Sequence, residues 1–142
     1  MEKSENPSSA GKTVLIVDDE FGVLEVLEFI LSDAGFTVVS ALNGQDALLR
    51  LKETRPDLVI VDFMMPILDG NGVIKAIRAD EKLREIPIIL ASALPEQTIR
   101  QRCDGYNTFL RKPYRTEQLM EEISKLMVQA SAGGHRTKAG RR

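Results

Sequence analysis

Five short apolar runs alternate with longer segments of helical spacing, and this alternation constrains the fold more than any other feature of the chain. The runs are rich in branched side chains, as strands buried in a parallel sheet are. Because each strand is followed by a crossover segment that must pack back onto the sheet, the order predicts an α/β fold, a doubly wound five-stranded parallel sheet with helices on both faces. The runs lie at residues 13–17, 36–41, 58–61, 86–91 and 106–110.

The segments between the runs place apolar residues three or four positions apart, which predicts amphipathic helices. Gly35 is expected to end the first helix and Asn43 to cap the second. The apolar positions are Phe21, Leu24, Leu27, Phe29, Ile30 and Leu31 in the first helix, Ala47, Leu48 and Leu51 in the second, Val73, Ile74 and Ile77 in the third, and Leu119, Ile123, Leu126 and Met127 in the fifth.

The fourth helical segment differs from the others. It is predicted over residues 95–103, opening at Pro95, and it offers only Ile99 and Cys103 as apolar anchors. A helix with so little apolar surface to bury gains little from packing, so we expect it to be a moving part of the molecule.

A length of 142 residues fits one folded domain. Residues 1–12 are polar and lack the apolar centre of a secretory signal, so we expect a disordered segment and a cytoplasmic protein. The domain is predicted over residues 13–128, and the Gly-rich basic stretch 129–142 is expected to be a disordered tail. No apolar run approaches the roughly 18 residues of a membrane span. One cysteine, Cys103, excludes an internal disulfide and a zinc site built on cysteine pairs.

The charge of the chain is uneven along its length. The net charge is −2, yet four basic residues fall within the last seven positions. The rest of the chain is therefore more acidic than the total suggests, which disfavours a nucleic-acid-binding body.

Polar and charged side chains follow the predicted strands at their carboxyl ends, which is where open α/β sheets carry their sites. Three carboxylates close together repel one another unless a cation lies among them, and an oxygen-only set favours Mg²⁺. An ammonium and a hydroxyl suit phosphoryl oxygens instead. A carboxylate can also attack phosphorus, and Asp62, exposed by a loop containing Pro66 and Gly70, is the candidate nucleophile. The strand-end residues are Asp18, Asp19, Asp62, Ser92 and Lys112.

The chain closely resembles the receiver domains of two-component response regulators, in particular the single-domain regulators of chemotaxis, over roughly residues 13–127. Four motifs in order carry the resemblance, each weak alone. They are Asp18-Asp19, Asp62 with Met65-Pro66 and Asp69-Gly70, Ala91-Ser92-Ala93, and Lys112-Pro113-Tyr114.

This resemblance implies a flavodoxin-like receiver fold and a role for each matching residue. Asp62 would be the phosphoacceptor, and Asp18, Asp19, Asp62 and the Met64 backbone carbonyl would hold Mg²⁺. Ser92 and Lys112 would hold the phosphoryl group, and the Lys112–Pro113 bond would be cis.

Ser92 and Phe109 would together form a switch, although Phe109 lacks the tyrosine hydroxyl that some relatives use. The donor would be a sensor histidine kinase or a histidine phosphotransfer protein. Because few residues follow position 127, we expect no DNA-binding domain and an output by binding a partner in trans, as a monomer or a phosphorylation-dependent dimer. Four arginines near the expected output face, Arg100, Arg102, Arg111 and Arg115, suggest an acidic partner surface.

The sequence leaves open several alternative interpretations of these residues and of the function of the chain. Asp18-Asp19 alone could be a turn and helix cap, Ser92 could satisfy a backbone group, and Phe109 could be a core residue. A receiver fold that is never phosphorylated could serve as a protein-interaction module. An enzyme is less favoured: an aspartyl-phosphate phosphatase would carry a second acid at Met64, and a flavin protein would carry a phosphate loop after the first strand.

Overall fold

The computed structural model describes residues 11–132, and it contains a five-stranded parallel sheet with a helix after every strand. The strand order is β2-β1-β3-β4-β5. The strands are β1 (Thr13–Val17), β2 (Thr37–Ala41), β3 (Leu58–Asp62), β4 (Ile88–Ser92) and β5 (Thr108–Arg111). The helices are α1 (Phe21–Asp33), α2 (Gly44–Glu53), α3 (Gly70–Ala79), α4 (Glu96–Arg100) and α5 (Thr116–Ala132). The predicted fold class is confirmed.

Alternate residues of each strand supply two separate cores, one on each face of the sheet. In β1, Val14 and Ile16 pack against α1 and α5, whereas Leu15 and Val17 pack on the face covered by α2, α3 and α4. Both faces are apolar, which explains why the strands read as continuous apolar runs in the sequence.

The predicted helix signals at Gly35 and Asn43 are confirmed. Gly35 has φ +105°, and the N–H groups of Gly35 and Phe36 donate to the carbonyls of Ser32 and Leu31, which closes α1. Asn43 precedes α2, and its side-chain oxygen accepts from the Asp46 N–H at 2.8 Å.

Two of the apolar residues assigned to the buried face of α1 are exposed. Phe21 is 62 % and Phe29 74 % exposed, while Leu24, Leu27 and Leu31 form the buried stripe. At 100° per residue, Phe29 lies on the opposite side of the helix from this stripe, so the broad apolar face predicted from the sequence was wrong there.

The fourth helix is shorter than the predicted segment 95–103. α4 ends at Arg100 and a turn follows, although the Cys103 N–H still donates to the Ile99 carbonyl at 2.9 Å. Pro95 precedes α4 as its cap residue. Ile99 and Cys103 are the buried residues here, as expected, and two anchors support only about one turn.

Some boundaries of strands and helices differ from the predicted ones. β4 and β5 each begin two residues later than predicted. Before β4, the Ile86 carbonyl accepts a hydrogen bond from Arg78 Nη1, and before β5, the Asn107 side-chain oxygen accepts one from the Ile88 N–H, so these residues bond to side chains instead of extending the strands. At the carboxyl end of the chain, α5 continues through Ala132, so the prediction of disorder from residue 129 was wrong up to that point. The remaining predictions for 1–10 and 133–142 fall outside the described residues.

Candidate functional site

Three carboxylates meet at the carboxyl edge of the sheet, where β1 and β3 lie side by side. One oxygen from each of Asp18, Asp19 and Asp62 lies within 4.8 Å of the others. Asp18 and Asp62 are buried, and Asp19 is exposed. Residues far apart in the sequence are brought together because parallel strands end at one edge.

The Lys112 ammonium joins two of these carboxylates. Its Nζ lies 2.9 Å from Asp62 Oδ1 and 3.0 Å from Asp18 Oδ2. Burial lowers the pKa of Lys112, but Asp62 and Asp18 more than offset this, so its pKa is raised and it stays protonated. The Lys112–Pro113 peptide bond is cis, and the Lys112 N–H donates to the Ser92 carbonyl at 2.8 Å.

Burial raises the pKa of Asp62 from 3.8 to about 6, against the opposing effect of Lys112 and with a smaller contribution from Asp18 and Asp19. The carboxylate is therefore ionised at neutral pH but costly to keep so. A cation that approaches this carboxylate stabilises it, and so does a covalent bond that removes its charge.

Asp18 is fixed by the start of α1. Its Oδ1 accepts the Glu20 N–H at 3.0 Å, and its own N–H donates to the Ala41 carbonyl of β2. The turn-and-cap reading of this acidic pair and the metal-ligand reading are therefore compatible, because Asp18 uses one oxygen for the backbone and the other for Lys112.

The loop after Asp62 is held by hydrogen bonds at both ends. The Gly70 N–H donates to the Phe63 carbonyl at 2.8 Å, and Asp69 Oδ1 caps α3 by accepting the Gly72 N–H at 3.0 Å. A Cβ on Gly70 would lie 2.8 Å from the Asp62 carbonyl oxygen, so a glycine is needed for this close approach.

Apolar side chains of this loop face solvent beside the carboxylates. Met64 is 57 % exposed, and Ile67 is 76 % exposed with φ +74°. A β-branched residue in the left-handed region is uncommon and costs free energy. Met65, between them, is buried.

Leu68 packs this loop against Gly44 of α2 and Gly72 of α3. Sequence reasoning missed this contact. A Cβ on Gly44 would clash with the Leu68 carbonyl oxygen, and a Cβ on Gly72 would clash with Leu68 Cδ1. The two glycines thus form the slot that holds Leu68. The sequence carried only a weak signal, a glycine at the start of two helices.

Ser92 ends β4 one residue beyond Ala91, which is the register partner of Asp62 on the neighbouring strand. It is 1 % exposed, and its hydroxyl oxygen accepts the Leu94 N–H at 3.0 Å. The hydroxyl proton is still available to an acceptor at this edge of the sheet. The backbone-satisfying reading of Ser92 therefore does not exclude a role in binding a phosphoryl group.

Phe109 lies on β5 and is partly buried, with its ring centroid 6.3 Å from that of Tyr106. The four arginines predicted as a partner surface are not one cluster of free charges. All four are exposed, but Arg100 pairs with Glu96 at 3.5 Å and Arg111 Nε donates to the Ala93 carbonyl at 2.7 Å.

Sequence reasoning also missed Arg78, on the last turn of α3. Its guanidinium donates to the carbonyls of Gly105, Arg84 and Ile86 and to Asn107 Oδ1, at 2.7–2.9 Å. Burial lowers the pKa of Arg78. No apolar pattern marks such a residue, because its partners are backbone oxygens that only the folded chain brings together.

An apolar groove of about 530 Å³ lies between α1 and α5. Its lining includes Val26, Ile30 and Tyr114 together with Glu20, two residues after Asp18. Glu20 links this groove to the acidic site, because its N–H donates to Asp18 Oδ1.

The donor set fits a magnesium ion. Three carboxylate oxygens within reach of one another, two of them on buried residues, are the hard oxygen ligands that this cation prefers. Burial, with a smaller contribution from Asp18 and Asp19, raises the pKa of Asp62 even with Lys112 beside it, so a further cation would stabilise the ionised carboxylate. Asp18, Asp19 and Asp62 would supply the ligands, and the ion would neutralise charge where phosphoryl oxygens approach.

The fold and this site define the receiver domains of response regulators, and the chain belongs to that family. The family model for the response regulator receiver domain matches residues 14–124. A probable transcriptional regulator, ycf27 of Guillardia theta, is 37% identical over 134 residues, covering 89% of this chain and 51% of the relative.

Solved structures agree with this assignment. The receiver domain of a signal transduction histidine kinase from Syntrophus aciditrophicus has a TM-score of 0.78 and 31% identity, covering 93% of this chain and 98% of the other. The receiver domain of the sensor histidine kinase PA1611 from Pseudomonas aeruginosa PAO1, described with a magnesium ion coordinated in its active site cleft, has a TM-score of 0.78, 30% identity and coverages of 84% and 99%.

The chain spans about half the length of most of the curated relatives that it matches. Within residues 11–132, no helix combines the length and apolar character that crossing a membrane requires.

Proposed function

We propose that this chain is a phosphorylatable receiver in a two-component or phosphorelay system. Asp62 accepts a phosphoryl group from a histidine kinase or a histidine phosphotransfer protein, with Mg²⁺ bound at Asp18, Asp19, Asp62 and the Met64 carbonyl. The single observation that carries the proposal is the Lys112 ammonium, which bridges the buried carboxylates of Asp62 and Asp18 beside a third carboxylate.

In the proposed transfer, an Asp62 carboxylate oxygen attacks the phosphorus of a phosphohistidine. The O–P bond forms as the P–N bond breaks, and the imidazole leaves with the electron pair of that bond. Lys112 neutralises charge on the phosphoryl oxygens, and the Ser92 hydroxyl donates a hydrogen bond to one of them. Asp18, Asp19 and Asp62 would hold a cation that supplies further positive charge there. The acceptor is the reacting group of the chain, so it acts as a stoichiometric partner rather than as an enzyme with turnover of its own.

The response to phosphorylation is proposed at the face formed by α4, β5 and α5. Ser92 and Phe109 act as the switch, and the altered face binds a partner protein in trans. The exposed arginines Arg102 and Arg115, together with the exposed but hydrogen-bonded Arg100 and Arg111, favour an acidic partner surface. We place the reaction in the cytoplasm, where histidine kinases present their phosphorylated domains.

The test is phosphoryl incorporation from a small-molecule phosphodonor, followed by intact mass spectrometry, with and without Mg²⁺. We expect incorporation that requires Mg²⁺ and is lost in Asp62→Asn. The matched control is Asp104→Asn, which removes an exposed carboxylate away from the site and should incorporate as the wild type does. Incorporation that survives in Asp62→Asn would contradict the assignment of the acceptor, and none in the wild type would favour the interaction module that is never phosphorylated.

A further inference from the structure

α4 is held to the rest of the molecule by very few contacts. The helix is one turn long, and Ile99 is its buried residue, followed by Cys103 in the next turn. The other residues of α4 face solvent wholly or in part. With so little buried apolar surface, a single polar contact can decide where this helix lies.

One such contact joins α4 to the segment that leads into β5. The Tyr106 hydroxyl donates to Glu96 Oε2 at 3.0 Å, and Arg100 Nη2 lies 3.5 Å from the same oxygen. Burial and the Glu96 carboxylate raise the pKa of Tyr106, so the phenol is a donor at neutral pH. A hydrogen bond to a carboxylate is stronger than one between neutral groups.

Both partners of this hydrogen bond are connected to the acidic site through short paths. On one side, only Ala93, Leu94 and Pro95 separate Ser92 from Glu96. Pro95 has a fixed φ, and proline restricts the residue before it, so this segment transmits a displacement better than it absorbs one.

The Ser92 hydroxyl and the Ala93 carbonyl both have partners in this segment. Ser92 Oγ accepts the Leu94 N–H at 3.0 Å, and the Ala93 carbonyl accepts from Arg111 Nε of β5. A phosphoryl group on Asp62 would add strong acceptor oxygens one residue away in register, on the neighbouring strand. If the whole Ser92 side chain rotates to bring its hydroxyl to them, its oxygen moves away from the Leu94 N–H, and the chain leading to Glu96 must adjust.

On the other side, Tyr106 packs on Phe109. The two rings are 6.3 Å apart and inclined at 52°, and both pack against the core that contains Ile99 and Leu90. A change in the position of Phe109 therefore reaches the Tyr106 ring directly.

We propose that the Tyr106–Glu96 hydrogen bond stabilises the unphosphorylated position of α4 and breaks when Asp62 is phosphorylated. Tyr106 is thus a positioning residue: it supplies, from a site three residues before Phe109, a tyrosine hydroxyl that Phe109 itself lacks. The proposal rests on the proposed receiver function. By linkage, a bond made only in one state lowers the affinity for any ligand that favours the other state.

The experiment measures the affinity for beryllofluoride, an analogue of the phosphoryl group, by calorimetry in the presence of Mg²⁺. Tyr106→Phe removes the hydroxyl and keeps the ring on Phe109, and we expect it to bind the analogue about three- to tenfold more tightly than the wild type. Glu96→Gln, which weakens the acceptor at a partly exposed position, should shift the affinity in the same direction. The control Gln97→Ala, an exposed change on the same turn, should stay within about twofold.

The double variant Tyr106→Phe with Glu96→Gln distinguishes a lost contact from a generally loosened helix. If the two residues act through one bond, the double variant binds no more tightly than the tighter single variant. Affinities of Tyr106→Phe within about twofold of the wild type, weaker binding, or fully additive gains would each overturn the proposal. If the wild type fails to bind the analogue with Mg²⁺, the receiver function itself is wrong and the proposal falls with it, which the wild-type titration alone reveals.

Discussion

Asp62 is buried beside two other carboxylates and one ammonium, so ionising it costs free energy in the folded protein. Its pKa of about 6 lies above its ordinary value of 3.8. Between these two values the folded protein binds more protons than the unfolded chain. The free energy of unfolding therefore falls as the pH rises through this window, and the loss is complete above about pH 6.

Asp62→Asn should consequently be more stable than the wild type at about pH 8 without divalent cations, by about 2 kcal/mol, because the amide carries no charge to bury. The difference should shrink toward zero at about pH 4, where the wild-type carboxyl is largely protonated. Urea denaturation of both proteins in chelator at the two pH values measures this. Asp104→Asn should show no such pH-dependent gain, and a less stable Asp62→Asn at the higher pH would contradict the pKa shift.

At the scale of elements, Leu68 packs the loop between β3 and α3 against the start of α2. Gly44→Ala would place a methyl group against the Leu68 backbone, which cannot yield as a flexible side-chain end would. We expect a loss of stability of about 1–3 kcal/mol and slower phosphoryl incorporation, because the displaced loop carries the residues next to Asp62.

Gly22→Ala is the matched control for that prediction. A Cβ at Gly22 has nothing within 4 Å and the residue lies in the first turn of α1, so alanine should be neutral or stabilising by up to about 1 kcal/mol. Thermal unfolding and incorporation kinetics of both variants provide the measurement. Equal effects of the two alanines would show that Leu68 does not hold the loop.

Arg78 joins α3 to the loops that begin β4 and β5. Arg78→Met should cost about 3 kcal/mol of stability, since it removes four hydrogen bonds, one of them to the carbonyl of the buried residue Ile86. Arg78→Lys should rescue little, because one ammonium cannot reproduce the fork of a guanidinium. Arg84→Met, at an exposed side chain in the same region, should change stability by less than about 0.5 kcal/mol. Chemical denaturation distinguishes these outcomes, and full stability in Arg78→Met would refute the structural role.

At the scale of the whole molecule, a cation that binds only the folded protein must stabilise it. Mg²⁺ at about 100 times its dissociation constant should add about 2.7 kcal/mol to the free energy of unfolding, whereas NaCl at equal ionic strength should not. Asp19→Asn should reduce the effect, and because Asp19 is exposed the variant should still fold. Unfolding midpoints measured against Mg²⁺ concentration test this. Equal stabilisation in Asp19→Asn would remove Asp19 from the ligand set.

The overall architecture was predictable because it depends on patterns that are local in the chain. Apolar runs of four to six residues separated by segments of helical spacing admit few arrangements other than a parallel sheet, and the caps at Gly35 and Asn43 are fixed by conformational preferences of single residues. The strand-end carboxylates and Lys112 could be found because the topology sends every such residue to one edge.

The errors share one cause. The exposure of Phe29, the short α4 and the late starts of β4 and β5 depend on which partners are available in space. An apolar side chain on a helix is recognised by its type, but whether it is buried depends on the neighbouring elements.

The sequence by itself therefore determined the class of fold, the edge that carries the site and the residue types gathered there, because periodicity and strand order act over short stretches of chain. Only the tertiary structure decided that Lys112 bridges Asp18 and Asp62, that Leu68 sits between two glycines, that Arg78 binds backbone oxygens of two loops, and that Tyr106 reaches Glu96. These contacts join different elements and loops of the fold, and their geometry is fixed by close packing rather than by any pattern along the chain.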